Sequence, residues 1–332
     1  MTIVVRLPNW LGDTVMAVPV LRALRAGVGA EARLAVAGPW ASVLAGQDLG
    51  NPCITYPRSW TGRLRMADTV ARLGPSVALI LPHSFESALS AWYWRARRRI
   101  GYDYDARGWL LTDRVPPATR VVHQIDEYLE LLAPLGMSPA ERIPRLRPPA
   151  DPVLEAQAAA LLDEVRTRGA PVVGVHLGAT FGPSKVLPPD RIAALCRELR
   201  QRGATPVLLG SPTDRDLEAR VRAHAAADTA SLVGGDSIDL LPVLLTGLAA
   251  LVSGDTGVAH LAAALGTPTV VVFGPTDPAR SAPRGRVSTV GLAVACAPCP
   301  YRTCPIDHPC MRGISVSEVA DRVLAHLDGP RW

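Results

Sequence analysis

Lysine and arginine together number 35, and only Lys185 is a lysine. A site that needs a compact, flexible ammonium would resist replacement by arginine's planar fork; chance retention is the alternative reading. Lys185 ends the loop Gly178-Ala-Thr-Phe-Gly182-Pro-Ser-Lys185, which follows an apolar run. The loop is not a P-loop, because its second glycine does not adjoin the lysine and Val186 replaces the Ser/Thr. A second constellation is Ser253-Gly254-Asp255-Thr256-Gly257, where an apolar run gives way to an alanine-rich helix. A helix that starts after such small residues presents unpaired amides and the positive end of its dipole, a site for phosphate. Asp255 is either that helix's cap or a partner for sugar hydroxyls, since a carboxylate beside a diphosphate is repulsive. His260, four residues beyond Thr256, lies on the same helix face, as a structural or a ligand-facing group. The third constellation is Arg6-Leu-Pro-Asn-Trp-Leu-Gly12-Asp13. Gly12 permits close backbone approach, and Asp13 at a helix start is either an N-cap or a general base.

These residues need a scaffold of alternating strands and helices. Ala249–Val252, the helix ending at Gly266-Thr267-Pro268, and the run Thr269–Phe273 before Gly274-Pro275 form a βαβ unit. Earlier in the chain the pattern predicts a strand at Thr2–Arg6, a helix at Thr14–Arg25, and strands at Arg33–Ala37 and Val77–Leu81. The proline-rich stretch Ser138–Pro152 reads as an interdomain linker. Alternation resumes with a helix at Val153–Arg168, a strand at Pro171–His176, a helix at Asp190–Gln201 and a strand at Thr205–Leu209. An amphipathic helix at Val316–Asp328 closes the chain. The expectation is an α/β protein of two Rossmann-like domains facing a cleft, 1–145 and 153–315, with a C-terminal helix in 316–332 packing back toward the first domain.

With 332 residues the chain is long enough for two domains, and no apolar run approaches the ~18 residues that span a bilayer. The N-terminus reads as a strand and not as a signal peptide, so a cytoplasmic protein is expected. A net charge of +5 suits an anionic substrate or membrane surface, and no nucleic-acid motif accompanies it. The dinucleotide fingerprint is absent after the first strand, which argues against a nicotinamide enzyme. Asp103-Tyr104-Asp105 is too short a pattern to carry a metal assignment. Cys296, Cys299, Cys304 and Cys310, with His308 among them, admit either a structural zinc or a reduced, metal-free loop. Cys53 and Cys196 read as buried small apolar residues. In the run that ends with Arg95, Arg97, Arg98 and Arg99, the residues Phe85, Leu89 and Trp92 share one helical face, expected to be core. The arginines there are a solvated end or contacts for an anionic acceptor.

The segments RLPNWLGDTVMAVPVLRAL, LPHSFESA, RRIGYD, HLGATFGPSKVLPPDRI and SGDTGVAHLAAALGTPTVVVFGPTDP, in this order, resemble glycosyltransferase family 9, the ADP-heptose:lipopolysaccharide heptosyltransferases, nearest the heptosyltransferase II branch. The resemblance covers nearly the whole chain and extends to the cysteine-rich tail. It implies the GT-B fold, with acceptor bound mainly by the first domain and nucleotide sugar by the second. It implies further that Asp13 is the general base, that Thr256 and Gly257 hold the diphosphate, and that Lys185 and Thr180 contact the donor near its phosphates. Asp255 would meet heptose hydroxyls and His260 would support that site. Acceptor contacts would come from Asn9, Trp10, Gly12, His83, Ser84, Arg97 and Arg98. Where some members carry a glutamate for the ribose, this chain has Gly210-Ser-Pro-Thr-Asp214, so Ser211 or Asp214 would take that place. The implied partners are ADP-heptose or a similar nucleotide sugar and an anionic lipopolysaccharide-core acceptor, met at the cytoplasmic face of the inner membrane. No cofactor is implied. The alternatives are another nucleotide sugar moved to a glycolipid or natural product, and a non-catalytic nucleotide-sugar-binding protein.

Overall fold

A computed structural model describes residues 1–29, 31–57, 59–166, 169–226, 228–235 and 237–329. The chain divides into two compact units, Met1–Leu146 and Arg147–Trp332. In the first unit the strands are β1 (Thr2–Arg6), β2 (Arg33–Gly38), β3 (Cys53–Thr55), β4 (Val77–Ile80), β5 (Arg98–Tyr102) and β6 (Asp113–Val115). They form one parallel sheet in the order β3-β2-β1-β4-β5-β6. In the second unit the strands are β7 (Val172–His176), β8 (Thr205–Leu209), β9 (Ala230–Ser231), β10 (Ala250–Gly254), β11 (Thr269–Phe273) and β12 (Val287–Gly291). These are also parallel, in the order β12-β11-β10-β7-β8-β9.

Both orders have the same logic. From the first strand the chain winds outward through two neighbours, then returns to the first strand's other side and winds the opposite way. The connections diverge between β1 and β4, and again between β7 and β10. A crevice opens there at the carboxyl ends of the strands, where open α/β sheets bind ligands. The central strands are apolar along their length because helices cover both faces. Ile3, Val4, Val5, Ala78, Leu79 and Ile80 are fully buried in one sheet, and Val173, Ala250, Leu251, Val270, Val271 and Val272 in the other.

Two expectations change. The helix read as Thr14–Arg25 is two helices, Leu11–Met16 and Val18–Gly27, broken at Ala17. Pro19 has no N–H to donate and fits only the first turn of a new helix. The face shared by Phe85, Leu89 and Trp92 is not core. In the helix Phe85–Tyr93 the buried residues are Ser87, Ala88 and Ala91, while Phe85, Leu89 and Trp92 are 43%, 40% and 53% exposed. Small side chains let the helix lie close against the sheet, and Trp94, beyond its end, fills the core instead. The apolar face of the C-terminal helix Val316–Asp328 packs within the second unit. Val319, Ala320 and Val323 belong to the second unit's core, with Ile192, Leu195 and Leu199 of the helix Pro189–Gln201. Arg202, just beyond that helix, pairs with Asp321 and fixes the packing. The helix read as Val153–Arg168 spans Pro152–Val165; Thr167 and Arg168 lie outside the described residues. No helix among the described residues is long and apolar enough to cross a membrane.

Candidate functional site

In the second unit, β10 ends at Gly254 and the helix Gly257–Ala264 begins after Thr256, its N-cap. Among the described residues no side chain caps this helix; the Thr256 hydroxyl lies instead 2.9 Å from that of Ser253. Its first amides therefore remain available to an anion. Asp255 is not the cap. It is 7% exposed, and its Oδ2 accepts from Lys185 Nζ at 2.7 Å, Thr276 Oγ1 at 2.8 Å and Ser281 Oγ at 3.4 Å. His260 Nε2, on a 4%-exposed residue, lies 3.8 Å from the other oxygen. Burial alone would raise the Asp255 pKa, but His260 and Lys185 outweigh it and hold the carboxyl well below the usual range. Asp255 is thus a fixed negative charge. Lys185 also donates to the Asp255 carbonyl at 3.3 Å, which sets its ammonium one residue before the helix N-cap.

Lys185 reaches this position through close backbone packing. It closes a short 3₁₀ turn, Pro183–Lys185, and its carbonyl would lie 2.3 Å from any Cβ at Gly254, so only glycine fits there. Gly182 has φ +148°, and a Cβ there would meet the Arg302 carbonyl at 2.7 Å. The cysteine-rich segment docks on this turn. Ser184 N–H donates to Arg302 O at 2.9 Å, and His308 Nε2 donates to Ser184 O at 2.7 Å. Phe181 stacks under both Lys185 and Arg302, at 5.3 and 5.6 Å. Cys299 N–H donates to Pro275 O at 2.8 Å, next to Thr276. The segment therefore buttresses both loops that hold Asp255.

Cys310 is buried and Cys296 exposed, and the thiols are close enough that, after burial, Cys296, Cys304 and Cys299 add to the raising of the Cys310 pKa. Among the described residues no three His, Cys, Asp or Glu side chains are arranged to hold a metal ion. Cys304 Sγ accepts from His308 N–H at 3.2 Å, a thiol working as a turn acceptor. Asp103 faces Arg114 at 4.0 Å, and Asp105 is exposed at φ 52°.

Thr180 is exposed on the loop that follows β7. Ser211 and Asp214 cap each other: Asp214 Oδ2 accepts from Ser211 N and Oγ, each at 2.8 Å. The Asp214 carboxylate packs so close to Gly178 that a Cβ there would meet it at 2.5 Å, which ties this turn to the β7 loop. One residue here escaped the sequence reading. His176, at the end of β7, lies 3.4 Å from the Ser253 hydroxyl, and burial pushes its pKa down to about 4 against the pull of Asp214. Its place at the carboxyl end of a central strand is the signal that could have found it.

In the first unit, Asp13 sits half-buried in the first turn of Leu11–Met16, where Trp10 and not Asp13 is the N-cap. Gly12 beside it is buried. Tyr128 is driven well above its usual pKa by burial and then by the Asp13 charge, which places the two close together. Arg6, 2% exposed, orders the intervening loop: it donates to Leu7 O, to Asn9 Oδ1 at 3.1 Å and to Glu86 Oε2 at 3.3 Å, and stacks 4.8 Å over Tyr56. Trp10 is 45% exposed beside it. Beyond β4, His83 stacks on Tyr104 at 4.4 Å, with its Nε2 3.2 Å from Oε1 of the buried Glu127. Ser84 caps the helix Phe85–Tyr93, and the fully buried Arg107 donates to the carbonyls of Pro82, Ser84 and Tyr102, locking the His83 loop. Arg6 stands in the motif read from the sequence without a role there, and Glu127 and Arg107 were missed, because the roles of all three depend on partners far along the chain.

Asn9, Trp10, Gly12, Asp13, His83 and Ser84 are thus gathered around the β1/β4 crevice. Arg97 and Arg98 are not. β5 begins at Arg98, so both lie at the amino ends of the parallel strands, a full strand length from the crevice. Arg98 is engaged there with Asp113 at 2.6 Å and Pro134 O at 2.8 Å.

The pattern of glycosyltransferase family 9 (heptosyltransferase) matches residues 64–309. Lipopolysaccharide heptosyltransferase 2 of Salmonella typhimurium is 29% identical over 294 residues, covering 84% of each chain. Lipooligosaccharide heptosyltransferase 2 of Haemophilus ducreyi is 27% identical over 301 residues, 85% of this chain and 86% of that one. The solved structure of ADP-heptose LPS heptosyltransferase II from E. coli superposes with a TM-score of 0.79 at 24% identity, over 98% of both chains, and so shares the GT-B fold. The chain belongs to glycosyltransferase family 9, the heptosyltransferases.

Proposed function

We propose that this glycosyltransferase moves a heptose from ADP-heptose to a lipopolysaccharide inner-core acceptor, by direct displacement with inversion and without a metal. The observation that carries the reading is the bare N-terminus of the helix Gly257–Ala264, with the Lys185 ammonium held beside it by Asp255 at 2.7 Å. That pairing of amides and a cation suits a nucleoside diphosphate leaving group. Asp13 takes the proton of the attacking acceptor hydroxyl; the oxygen forms its bond to the anomeric carbon while the bond to the diphosphate breaks. A carboxylate suffices as base, because the hydroxyl becomes acidic only as the new bond forms. The amides of Thr256 and Gly257 and the Lys185 ammonium receive the charge that develops on the departing diphosphate. Thr180 lies in the same loop system as a further phosphate contact, and Ser211 and Asp214 stand where a ribose would be read. Asp255 Oδ1, which lies 3.8 Å from His260 Nε2, would be the oxygen that meets the sugar hydroxyls.

On the first unit, Asn9, Trp10, His83 and Ser84 would contact the acceptor. Arg97 and Arg98 have no part in this contact, since they lie at the amino ends of the strands, away from the crevice. The enzyme would work in the cytoplasm at the inner-membrane surface, where such an acceptor is anchored. The test is a thermal-shift screen of nucleotide sugars, followed by turnover with purified acceptor. ADP-heptose should raise the melting temperature most and be consumed. Stabilisation by a different donor alone would change the sugar; binding without transfer to any acceptor would leave a nucleotide-sugar-binding protein.

A further inference from the structure

The helix Phe85–Tyr93 inverts the usual arrangement of an α/β protein. At about 100° per residue, Phe85, Leu89, Trp92 and Tyr93 fall in one arc of the helix. That arc faces solvent: the four are 43%, 40%, 53% and 47% exposed, while Ser87, Ala88 and Ala91 face the sheet. Trp109, 64% exposed, stands against Phe85 with ring centroids 6.2 Å apart and widens the surface. Three of these five residues are Trp or Tyr, the side chains that favour the boundary between water and lipid. A soluble protein rarely leaves such a group of large apolar side chains together in water.

The charges around the stripe indicate what covers it. Arg95 and Arg97 follow directly at the helix end; both are exposed, and neither makes an ion pair among the described residues. Arg95 is near enough to Tyr93 to act on its phenol. The acidic groups nearby are already engaged, Asp68 with the Tyr93 hydroxyl and Glu86 with Arg6. Apolar aromatics flanked by uncompensated arginine match an anionic bilayer surface, whose headgroups take the guanidinium groups while the rings enter the acyl boundary. The helix starts at Ser84, on the β1/β4 crevice, so the stripe leads away from the place where the acceptor would be held.

We infer that the outer face of Phe85–Tyr93, with Trp109, Arg95 and Arg97, docks this enzyme on an anionic membrane surface and so presents the crevice of the first unit to lipid-borne acceptor. The inference rests on the reading that the acceptor is a lipid, and its test separates the two. Full-length protein is floated with vesicles of phosphatidylethanolamine and phosphatidylglycerol, and with vesicles of phosphatidylcholine alone. Binding should favour the anionic vesicles and fall with salt. Trp92→Ser combined with Trp109→Ser should weaken partitioning at least about tenfold, and Arg95→Glu should remove the preference for anionic lipid. Both variants should turn over an acyl-free acceptor as the parent does. Leu89→Lys supplies an independent variant of the same face if the tryptophan pair fails to fold by thermal melting. Absence of vesicle binding, or unchanged binding by the variants, overturns the docking surface whatever the substrate proves to be. Self-association that these substitutions abolish would assign the face to a second copy, and lost turnover on acyl-free acceptor would assign it to the acceptor site. Vesicle binding as expected, with no heptose transfer to any acceptor, would sink the functional reading and leave the docking surface standing.

Discussion

The two crevices are built on the same strand order, and each has an aspartate just after a central strand, yet the two carboxylates have different surroundings. Asp255 is buried, holds three hydrogen-bond donors on one oxygen and stays ionised far below the usual pH range. Asp13 is half-buried in the first turn of a six-residue helix, near Tyr128. A carboxylate bound into such a network holds a cation in place but is poorly suited to accept a proton, whereas one at the crevice surface can meet a substrate hydroxyl. In the proposed mechanism the same fold position thus serves fixed electrostatics in one unit and proton transfer in the other.

The comparison breaks most sharply at Asp13. Asp13→Asn should lower kcat by about 10³-fold or more while calorimetric affinity for the nucleotide diphosphate stays unchanged. A variant that turns over normally would return Asp13 to a structural role. Asp255→Asn should act in the opposite way, on stability first, because it leaves the Lys185 ammonium buried without its counter-ion. The expected cost is about 3–5 kcal/mol, read from chemical denaturation, together with weakened donor binding. The pH dependence has a defined sign. The folded pKa of Asp255 lies below the unfolded value of 3.8, so its stabilisation is complete above that value and is lost as pH falls toward the folded one. The Asn variant should lack that acid limb.

The difference between the crevices also marks how much the sequence alone reveals. Strands Thr2–Arg6, Thr205–Leu209 and Thr269–Phe273 and the helix Val316–Asp328 match the reading to the residue. Each is a simple apolar pattern, and all but Thr2–Arg6 are bounded by glycine, proline or serine. The turn before the helix Gly257–Ala264 was legible for the same reason, since Asp255, Thr256 and Gly257 follow β10 directly. What failed depends on partners. Periodicity put Phe85, Leu89 and Trp92 on one face but does not say which face the sheet takes, and the small residues opposite decided it. Arg98 is near the first-unit motifs in sequence, but strand direction carries it to the far edge. The Asp255–Lys185 pair joins residues 70 apart, and His308 reaches Ser184 across 124; no local pattern encodes either.

His176 sharpens the contrast within the second unit. Its folded pKa of about 4 is below the usual 6.5, so the native state keeps it neutral. Stability tied to it is complete above the unfolded value and is lost as pH falls from 6.5 to about 4, by about 3 kcal/mol at most. His176→Gln should flatten melting temperature against pH across that window. A parent protein whose melting temperature is already flat there would mean that the ring titrates freely.

The smallest expected effect is at His308, whose Nε2 donates to the carbonyl of Ser184, next to Lys185. Its backbone is in the left-handed region, at φ 58°, and its N–H is held by the Cys304 thiol. The residue touches no reacting group in the proposed mechanism and acts only through the turn that carries the ammonium. His308→Ala should therefore raise KM for the donor about tenfold, with the loss of one hydrogen bond to the turn, and leave kcat within a small factor. His308→Gln, which can still donate from its amide, should recover part of the loss. Equal falls in kcat for both variants, with KM unchanged, would mean that the cysteine-rich segment does not set the position of Lys185. The contrast would then lie within the Asp255 network alone.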